Sequence, residues 1–243
     1  MAVVRGDPAS TDLWIAESAK GVFSRVTDDL GNETDAAWSP DENHLAFSKM
    51  GVGVVRKDLL TGAEQAVAAA AGMSLDDWTA DGKFLICRGD VSVFAVPAFG
   101  PGAAIRVPHV LDIDQTHVSA DGRWVTYNSD ESGQYEVYVA SFPEFAGKEQ
   151  VSVAGGLQPH WRRDGRELFF VTPRGEMMSV AISTVPTLRI DTPKRLFPTN
   201  LVPTPGWSQY SVTPDGQRFL VMESSRQFFT VLQHWLPAKA GTQ

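Results

Sequence analysis

Two histidines in this sequence stand at matching places in a repeated turn motif. His117 and His160 each lie four residues before the aspartate of an Asp-Gly pair, and Asp77 lies four residues before another. Imidazole nitrogens and carboxylate oxygens are ligands for divalent metals, and the same groups act as general acids and bases. If the motif marks a structural repeat, the three side chains converge in space.

The turn motif occurs five times along the chain. Aligned on the turn aspartate, the copies read AAWSPDENHLAF, DDWTADGKFLIC, THVSADGRWVTY, PHWRRDGRELFF and YSVTPDGQRFLV. The aspartates are Asp41, Asp81, Asp121, Asp164 and Asp215, which are 40, 40, 43 and 51 residues apart. Asp-Gly favours a tight hairpin, for which Asn43 substitutes in the first copy, and the apolar run after it favours a buried strand. A period near forty with strands inside it indicates β-propeller blades.

The repeat predicts one all-β domain over residues 1–243, a β-propeller of four-stranded antiparallel blades with six blades. Apolar residues three positions before the turn aspartates are expected to pack between blades: Trp38, Trp78, Val118, Trp161 and Val212. The expected divisions are partial blades at 1–33 and 200–237 and full blades at about 34–70, 71–110, 111–153 and 154–199. The ring then contains six separate blades, or it closes through a blade whose strands come from both ends of the chain. A start in mid-blade suggests a chain cut from a longer protein. The chain is expected to be a monomer, or a dimer if an open blade edge pairs with a second copy.

Polar residues near the starts of the inner strands form the candidate binding site. Inner strands surround the channel of a propeller, so equivalent residues from successive blades converge at its mouth. The expected ring contains Asp35, Asp77, Gln115, His117, Gln158, His160 and Gln209. It suits a small polar ligand, a peptide end or a divalent cation held by His117, His160 and Asp77, and no other cofactor is expected. The alternative is structural: such residues also bond channel water or neighbouring loops.

Each of the other candidate residues has two possible interpretations, one functional and one structural. Ser208 lies in GWSQY, which begins like a Gly-x-Ser-x-Gly nucleophile elbow but lacks the second glycine. Asp112 and Asp114, in HVLDIDQTH, either add acidic ligands to the ring or belong to a solvated loop. The arginines of WRRDGR (161–166) form a local basic spot or a solvated turn, and the lone Cys87 is expected in the core.

The repeat copies resemble a known family. W-S-P-D, W-T-A-D-G, V-S-A-D-G, W-R-R-D-G and V-T-P-D-G, each followed by an apolar strand, are similar to the WD40-like propeller repeats of the TolB family. The stretch from SADGRWVTYNSDESGQYEVYVASFP through GGLQPHWRRDGRELFFVTPRGEMMSVAI, with the final TVLQHW, resembles C-terminal propellers of bacterial membrane-linked serine/threonine kinases. This resemblance implies a sensor or interaction module, with an extracytoplasmic or periplasmic location where a kinase is attached. The chain has no kinase catalytic motifs.

The amino-acid composition limits the classes of binding partner. Lys plus Arg is 21 and Asp plus Glu is 29, a net charge of −8 that disfavours nucleic acid and anionic membrane surfaces. No apolar run of 18 residues is present, so no membrane insertion is expected. We therefore expect a non-catalytic recognition or scaffold propeller that binds a protein or a small polar ligand. The alternative is an esterase-like hydrolase or a metal-assisted lyase that uses the His/Asp constellation, and a purely structural spacer is a third class.

Overall fold

The computed structural model describes residues 2–7, 10–17, 22–28, 31–89, 92–107, 113–184, 187–206, 208–223 and 228–233. For residues 3–7, 10, 223 and 228–233 only the backbone is described. These parts of the chain form β-strands and turns, with no α-helix among them. The prediction of an all-β protein is confirmed.

The first three sheets follow one another along the chain, and every strand pairs antiparallel with its sequence neighbour. The first sheet contains β1 (Ala2–Asp7), β2 (Ser10–Glu17) and β3 (Val22–Arg25). The second contains β4 (Glu33–Trp38), β5 (His44–Lys49), β6 (Gly53–Asp58) and β7 (Glu64–Ala71). The third contains β8 (Ser74–Trp78), β9 (Phe84–Arg88), β10 (Val93–Pro97) and β11 (Ile105–Arg106).

Three further sheets repeat this meander. The fourth contains β12 (Ile113–Val118), β13 (Trp124–Ser129), β14 (Glu136–Ser141) and β15 (Glu149–Gln150). The fifth contains β16 (Leu157–Trp161), β17 (Glu167–Val171), β18 (Glu176–Ser183), β19 (Arg189–Ile190) and β20 (Lys194–Pro198), with β19 and β20 both paired to β18. The sixth contains β21 (Tyr210–Val212), β22 (Arg218–Glu223) and β23 (Phe228–Gln233).

Apolar clusters join each sheet to the next. The first cluster packs Leu13 of the first sheet against Leu45 and Phe47 of the second. Similar clusters join the second sheet to the third, the third to the fourth, the fourth to the fifth and the fifth to the sixth. Ala16 of the first sheet and Leu220 of the sixth share another cluster. Neighbouring sheets therefore pack face to face around a common axis, as the blades of a β-propeller do, and the predicted number of six blades stays a prediction.

The second strand of each sheet explains why the sequence contains continuous apolar runs. Side chains alternate between the two faces of a strand, and both faces of a blade are covered by neighbours. In β9, Leu85 and Cys87 face the second sheet, whereas Ile86 faces the fourth. In the same way, Leu168 of β17 faces the fourth sheet and Phe169 faces the sixth. Cys87 is a buried core residue, as predicted.

The turn motif is held by its own side chains. The hydroxyls of Ser39, Thr79, Ser119 and Thr213 each donate to the aspartate two residues later, at 2.5–2.7 Å between oxygens. The same carboxylates accept the backbone N–H two residues further on, at 3.0–3.2 Å. For Asp41, the bonds from Ser39 and Asn43 lower its pKa to about 2. These local bonds close the hairpin without tertiary help.

One detail of the first turn differs from the prediction. The residue after the turn aspartate takes positive φ in every copy, and in the first copy this residue is Glu42, at 61°. Asn43 does not replace glycine there. Its side-chain amide instead donates to the Asp41 carboxylate at 3.1 Å.

The predicted dimer stays a prediction. In the described part of the chain the first and sixth sheets contain three strands each, and they are separate sheets. The outer strand of the first sheet is β3, whose Val22 is exposed. An edge of this kind offers unpaired backbone groups to another strand.

The turn bonds predict the effect of removing one aspartate. Asp121→Ala leaves the hydroxyl of the buried Ser119 and the amide of Arg123 without their carboxylate acceptor. We expect a loss of about 1–2 kcal/mol in the free energy of unfolding, measured by urea denaturation. Asp130→Ala, at an exposed loop position, is expected to stay within about 0.5 kcal/mol. Equal losses in the two variants would contradict the role of the turn bonds.

Candidate functional site

A β-bulge interrupts each of the four inner strands β4, β8, β12 and β16. The register shifts lie between Thr34 and Ala36, Leu75 and Asp77, Asp114 and His117, and Leu157 and His160. A bulge leaves an extra residue unpaired and redirects its side chain. The extra residues are Asp35, Asp76, Gln115 with Thr116, and Gln158 with Pro159. The bulges therefore place polar side chains at the same level of successive blades.

Immediately after the bulges, Asp77, His117 and His160 occupy equivalent positions in the pairing of the first and second strands, as predicted. The three residues pair with Ile86, Thr126 and Phe169, each five residues after its turn aspartate. The rings of His117 and His160 lie 4.4 Å apart between centroids. His117 Nδ1 lies 3.8 Å from Asp77 Oδ2. Residues 40 and 43 apart in the chain thus become neighbours.

The two histidines have pKa values displaced in opposite directions. Burial disfavours the charged form of His117, but the nearby carboxylates of Asp77 and then Asp76 outweigh it, so the pKa of His117 is raised. Burial, followed by the charge of His117, lowers the pKa of His160 well below its ordinary value. At neutral pH, His160 is therefore an uncharged imidazole that can accept a proton.

Ser208 joins this histidine pair from the loop before β21. Its Oγ lies 2.7 Å from His160 Nε2, and the side chain is exposed. The hydroxyl also lies 2.8 Å from the backbone carbonyl oxygen of Tyr210. The hydroxyl has one hydrogen and two possible acceptors, the His160 ring nitrogen and the Tyr210 carbonyl oxygen. His160 can make Ser208 Oγ more nucleophilic only when that hydrogen is donated to the ring.

The predicted glutamines tie neighbouring blades together. Gln115 Oε1 accepts the backbone N–H of Gln158 at 3.0 Å, and Gln158 Oε1 accepts that of Gln209 at 2.8 Å. Gln158 Nε2 donates to Gln209 Oε1 at 2.9 Å, and the Tyr210 hydroxyl donates to the Gln158 carbonyl at 2.7 Å. Gln158 is completely buried. These bonds use the glutamines to join the inner strands of the fourth, fifth and sixth sheets.

Two aspartates form similar ties between the third and fourth sheets. Asp77 Oδ2 accepts the backbone N–H of Val118 at 2.8 Å, and Asp76 Oδ2 accepts that of Thr116 at 3.1 Å. The Asp77 carboxylate therefore serves the inner strand and faces His117 at the same time.

A second group of charges, which we call the acidic cluster, consists of Asp35, Asp76 and Asp114 around Arg88. The guanidinium of Arg88 pairs through Nη1 with Asp114 and lies 3.5 Å, at Nε, from Asp76 Oδ1. Its Nη2 donates to the carbonyl of Gly206, in the loop that carries Ser208, at 3.2 Å. Arg88 therefore links the third and fourth sheets to the loop that leads into the sixth.

Asp35 is the carboxylate that the second sheet contributes to this cluster, and the charge of Arg88 partly compensates it. Burial raises its pKa to about 6, and the charge of Asp76 adds to the increase, while the Thr34 hydroxyl donates a hydrogen bond that opposes it. Burial likewise raises the pKa of Asp76. A carboxyl group with such a pKa is held partly charged in a place that favours its neutral form.

The mouth cluster comprises the acidic cluster together with the histidines and their partners: Asp35, Asp76, Asp77, Arg88, Asp114, His117, His160 and Ser208. Sequence reasoning named five of these as ring or loop candidates and Ser208 as a candidate nucleophile, but it missed Asp76 and Arg88. Six positions before the turn aspartate the third sheet has Leu75, a core residue, because its bulge lies one residue later than that of the second sheet. Arg88 lies on a second strand, where no candidate was sought.

The remaining candidates are those of the loop before β12 and the arginines of WRRDGR. Asp112 and His109 are outside the described residues. Arg162 of the predicted basic spot forms ion pairs with Asp164 and Glu167, at 2.7 and 2.8 Å. Its charge is therefore compensated within its own hairpin.

A metal held by His117, His160 and Asp77 stays a prediction. Across the described ranges, no group of three or more His, Cys, Asp or Glu side chains has a spacing suited to a metal ion. Binding of a metal by these three residues would need their side chains to rotate.

The comparisons with known proteins define the fold. No protein-family model and no curated protein matches this sequence. Among solved structures, TolB from Acinetobacter baumannii has a TM-score of 0.76 at 19% identity over 96% of this chain, which spans 60% of that TolB chain. The Swd1 β-propeller domain from Myceliophteria thermophila has a TM-score of 0.64 at 13% identity, covering 96% of this chain and 79% of that one. The protein has a TolB-like, WD40-like β-propeller fold.

An enzyme is also among the structural neighbours. An oligogalacturonate lyase in complex with manganese has a TM-score of 0.60 at 15% identity, covering 92% of this chain and 68% of the lyase. At such identities the likeness concerns the fold alone, and propellers carry many unrelated functions. The predicted resemblance to kinase-linked propellers stays a prediction. No helix long and apolar enough to cross a bilayer occurs in the described residues.

The displaced pKa of Asp35 predicts a pH-dependent gain in stability for Asp35→Asn. Because the folded state retains a proton that the unfolded chain releases, wild-type stability falls as pH rises from about 4 to about 6 and stays lower above. The uncharged asparagine avoids this loss. We expect the variant to be more stable above pH 6 by on the order of 2–3 kcal/mol and equal to wild type near pH 4.

Urea unfolding at a series of pH values measures this difference. Asp130→Asn, which removes an exposed charge, serves as the matched control. A difference between Asp35→Asn and wild type that does not change with pH would contradict the assigned burial of a charge.

Proposed function

We propose that this protein is a non-catalytic recognition propeller that binds a polar ligand or a protein segment at the mouth cluster. The fold of its neighbours is consistent with a binding or scaffold role. The observation that carries the proposal is the convergence of charged and hydrogen-bonding side chains from five of the sheets. They are Asp35 from the second sheet, Asp76, Asp77 and Arg88 from the third, Asp114 and His117 from the fourth, His160 from the fifth and Ser208 from the loop leading into the sixth.

The convergent groups differ from ordinary surface residues in two ways. The carboxylates of Asp35 and Asp76 and both histidines have displaced pKa values, which concentrate at binding and catalytic sites. Rigid strands fix their positions, whereas Ser208 comes from a loop and is open to solvent. A rigid base with an exposed polar rim is suited to recognising one end of a ligand.

Ligand-dependent thermal stability tests this proposal. The purified chain is mixed in turn with small polar compounds and with peptides. Proteins that bind to the immobilised chain are then tested in the same way. At a concentration a hundred times its Kd, a ligand contributes about 2.7 kcal/mol, which corresponds to a rise in Tm of roughly 5–11 °C for a domain of this size. We expect the rise to disappear in the double variant His160→Ala, Ser208→Ala.

The control for this experiment is Ser132→Ala, which removes an exposed serine hydroxyl outside the cluster. It is expected to respond to the ligand as wild type does. A ligand whose effect is the same in the double variant binds elsewhere, and that result would exclude the mouth cluster as its site.

A second candidate function is an esterase-like hydrolase, favoured by the 2.7 Å contact between Ser208 Oγ and His160 Nε2. In this reaction Ser208 Oγ attacks the ester carbonyl while its proton passes to the neutral His160. The alcohol leaves with that proton, and water then releases the acid from the acyl-serine. The lyase neighbour suggests a metal-assisted alternative, in which His117, His160 and Asp77 hold the ion.

Turnover of p-nitrophenyl esters and labelling by a fluorophosphonate probe test the hydrolase, with manganese or EDTA added to separate wild-type samples. A hydrolase is expected to lose both signals in Ser208→Ala and to keep them in Ser132→Ala. A rate equal to the uncatalysed one, with no labelled serine, excludes it. A lyase cleaves by elimination and does not hydrolyse these esters. Manganese-dependent cleavage of an oligogalacturonate to an unsaturated product, surviving in Ser208→Ala, identifies the metal-assisted lyase.

A further inference from the structure

The connection from the fifth sheet to the sixth, residues 199–209, is unusually long, and we call it the strap. The structure describes all of its residues but Trp207. It is longer than the connections that join the other sheets, which are residues 26–32, 72–73, 107–112 and 151–156. Its length contributes to the wide spacing between Asp164 and Asp215 in the repeat. A connection that only joins two neighbouring sheets does not need so many residues.

The middle of the strap is bonded to two sheets that it does not join directly through its ends. Gln158 Nε2, on β16, donates to the Thr204 carbonyl at 3.3 Å. Arg88 Nη2, at the end of β9, donates to the Gly206 carbonyl at 3.2 Å. The fourth and fifth sheets lie between the third sheet and the sixth. The strap therefore passes over inner strands to reach Arg88 in the third sheet.

The strap engages two members of the mouth cluster. The Gly206 carbonyl accepts a hydrogen bond from Arg88 Nη2, and Ser208 Oγ lies 2.7 Å from His160 Nε2. A ligand that bonds to either of these nitrogens has to displace the strap from it. The described position of the strap is therefore a closed one.

The ends of the strap are held differently from its middle. Leu201 and the flanking Tyr210 are buried members of one apolar cluster, and the Thr199 N–H donates to the Gly175 carbonyl at 2.7 Å. In the middle, Pro205 is exposed and has no backbone N–H to donate. A segment with buried ends and an exposed middle is expected to open locally while its ends stay in place.

We propose that the strap is a gate over the mouth cluster, and that Arg88 is the latch that holds it closed. Opening releases Arg88 and His160 together and admits a ligand to them. The role of the gate rests on the proposed recognition function, but its movement is measurable without any ligand. Hydrogen bonds to charged groups are among the stronger ones, so loss of the latch is expected to raise the ratio of open to closed strap about tenfold or more.

A fluorine label in the strap measures this ratio. Pro205→Cys places a thiol midway between the buried ends, where a trifluoromethyl reagent modifies it. Cys87 is buried, and burial raises the pKa of its thiol, so it stays unlabelled. Arg88→Lys keeps the positive charge beside its carboxylates but lacks the forked guanidinium that donates to Gly206. Fluorine NMR is expected to show a minor line whose area, relative to the major line, grows about tenfold or more in this variant.

Two matched controls accompany the label. Val153→Cys carries it on the exposed connection between the fourth and fifth sheets, and its signal is expected not to respond to Arg88→Lys. Arg123→Lys makes the same exchange at an exposed turn position and is expected to leave the strap signal unchanged. Circular dichroism confirms that each variant is folded. Should Arg88→Lys fail to fold, Ser208→Ala, which removes the hydroxyl next to His160, takes its place and is expected to raise the ratio.

Acylation of histidine by diethyl pyrocarbonate tests whether the strap controls access. The reagent attacks a neutral imidazole, and mass spectrometry of peptides gives the rate for each histidine. In Arg88→Lys the rate at His160 is expected to rise about tenfold or more, in step with the open ratio. The rate at the half-buried His44, next to the first turn motif, is expected to stay unchanged.

Two results overturn the gate. An open ratio that Arg88→Lys, or Ser208→Ala in its place, does not change shows that these contacts do not hold the strap closed. A raised ratio with an unchanged acylation rate at His160 shows that the strap moves without controlling access. If the gate fails while a ligand raises Tm with dependence on His160 and Ser208, the recognition function stands. If the strap opens as expected and no ligand does so, only the recognition function falls.

Discussion

The structure depends on the mutual burial of apolar sheet faces. Each blade is apolar on both sides, since successive residues of its second strand, such as Leu85 and Ile86, enter different clusters. A single sheet of this kind would expose two apolar faces to water, so it is stable only when packed between two similar sheets. The last requirement is met when the first and sixth sheets also meet, as they do at Ala16 and Leu220. Burial of each large side chain contributes about 1.5–3 kcal/mol, which makes the ring the cooperative unit.

Radial packing brings the inner strands together, and their polar groups must then be satisfied near the axis. The bulges solve this problem by turning side-chain oxygens toward the next blade. Asp76, Gln115 and Gln158, all extra residues of bulges, each accept a backbone N–H from the chain of the following blade. The same geometry brings equivalent residues from different blades into contact. Structural ties and a candidate ligand site are thus built from one set of positions, and a residue such as Asp77 serves both.

The charged groups of the mouth cluster are a part of the structure that stability does not explain. Burial raises the pKa of Asp35 to about 6, so the ionised carboxylate lowers the stability of the folded state at neutral pH. Likewise, the rings of His117 and His160 are adjacent, and burial together with the charge of His117 lowers the pKa of His160. Local departures of this kind are expected at sites that act on a ligand. The rigidity of the surrounding blades maintains them.

The sequence by itself determined the repeated unit, because the forces that define it are local. The Ser/Thr–x–Asp–Gly turn closes through bonds within five residues, and the apolar runs after it predict buried strands whatever their partners. Equal spacing from the turns was enough to place His117 beside His160. The tertiary structure alone decided the rest of the site. Asp76 enters through a bulge one residue out of step, Arg88 comes from a second strand, and Ser208 is positioned by a loop whose course no local pattern indicates. Bulge positions and loop paths depend on packing against neighbouring blades, and such contacts between distant residues leave no periodic signal in the chain.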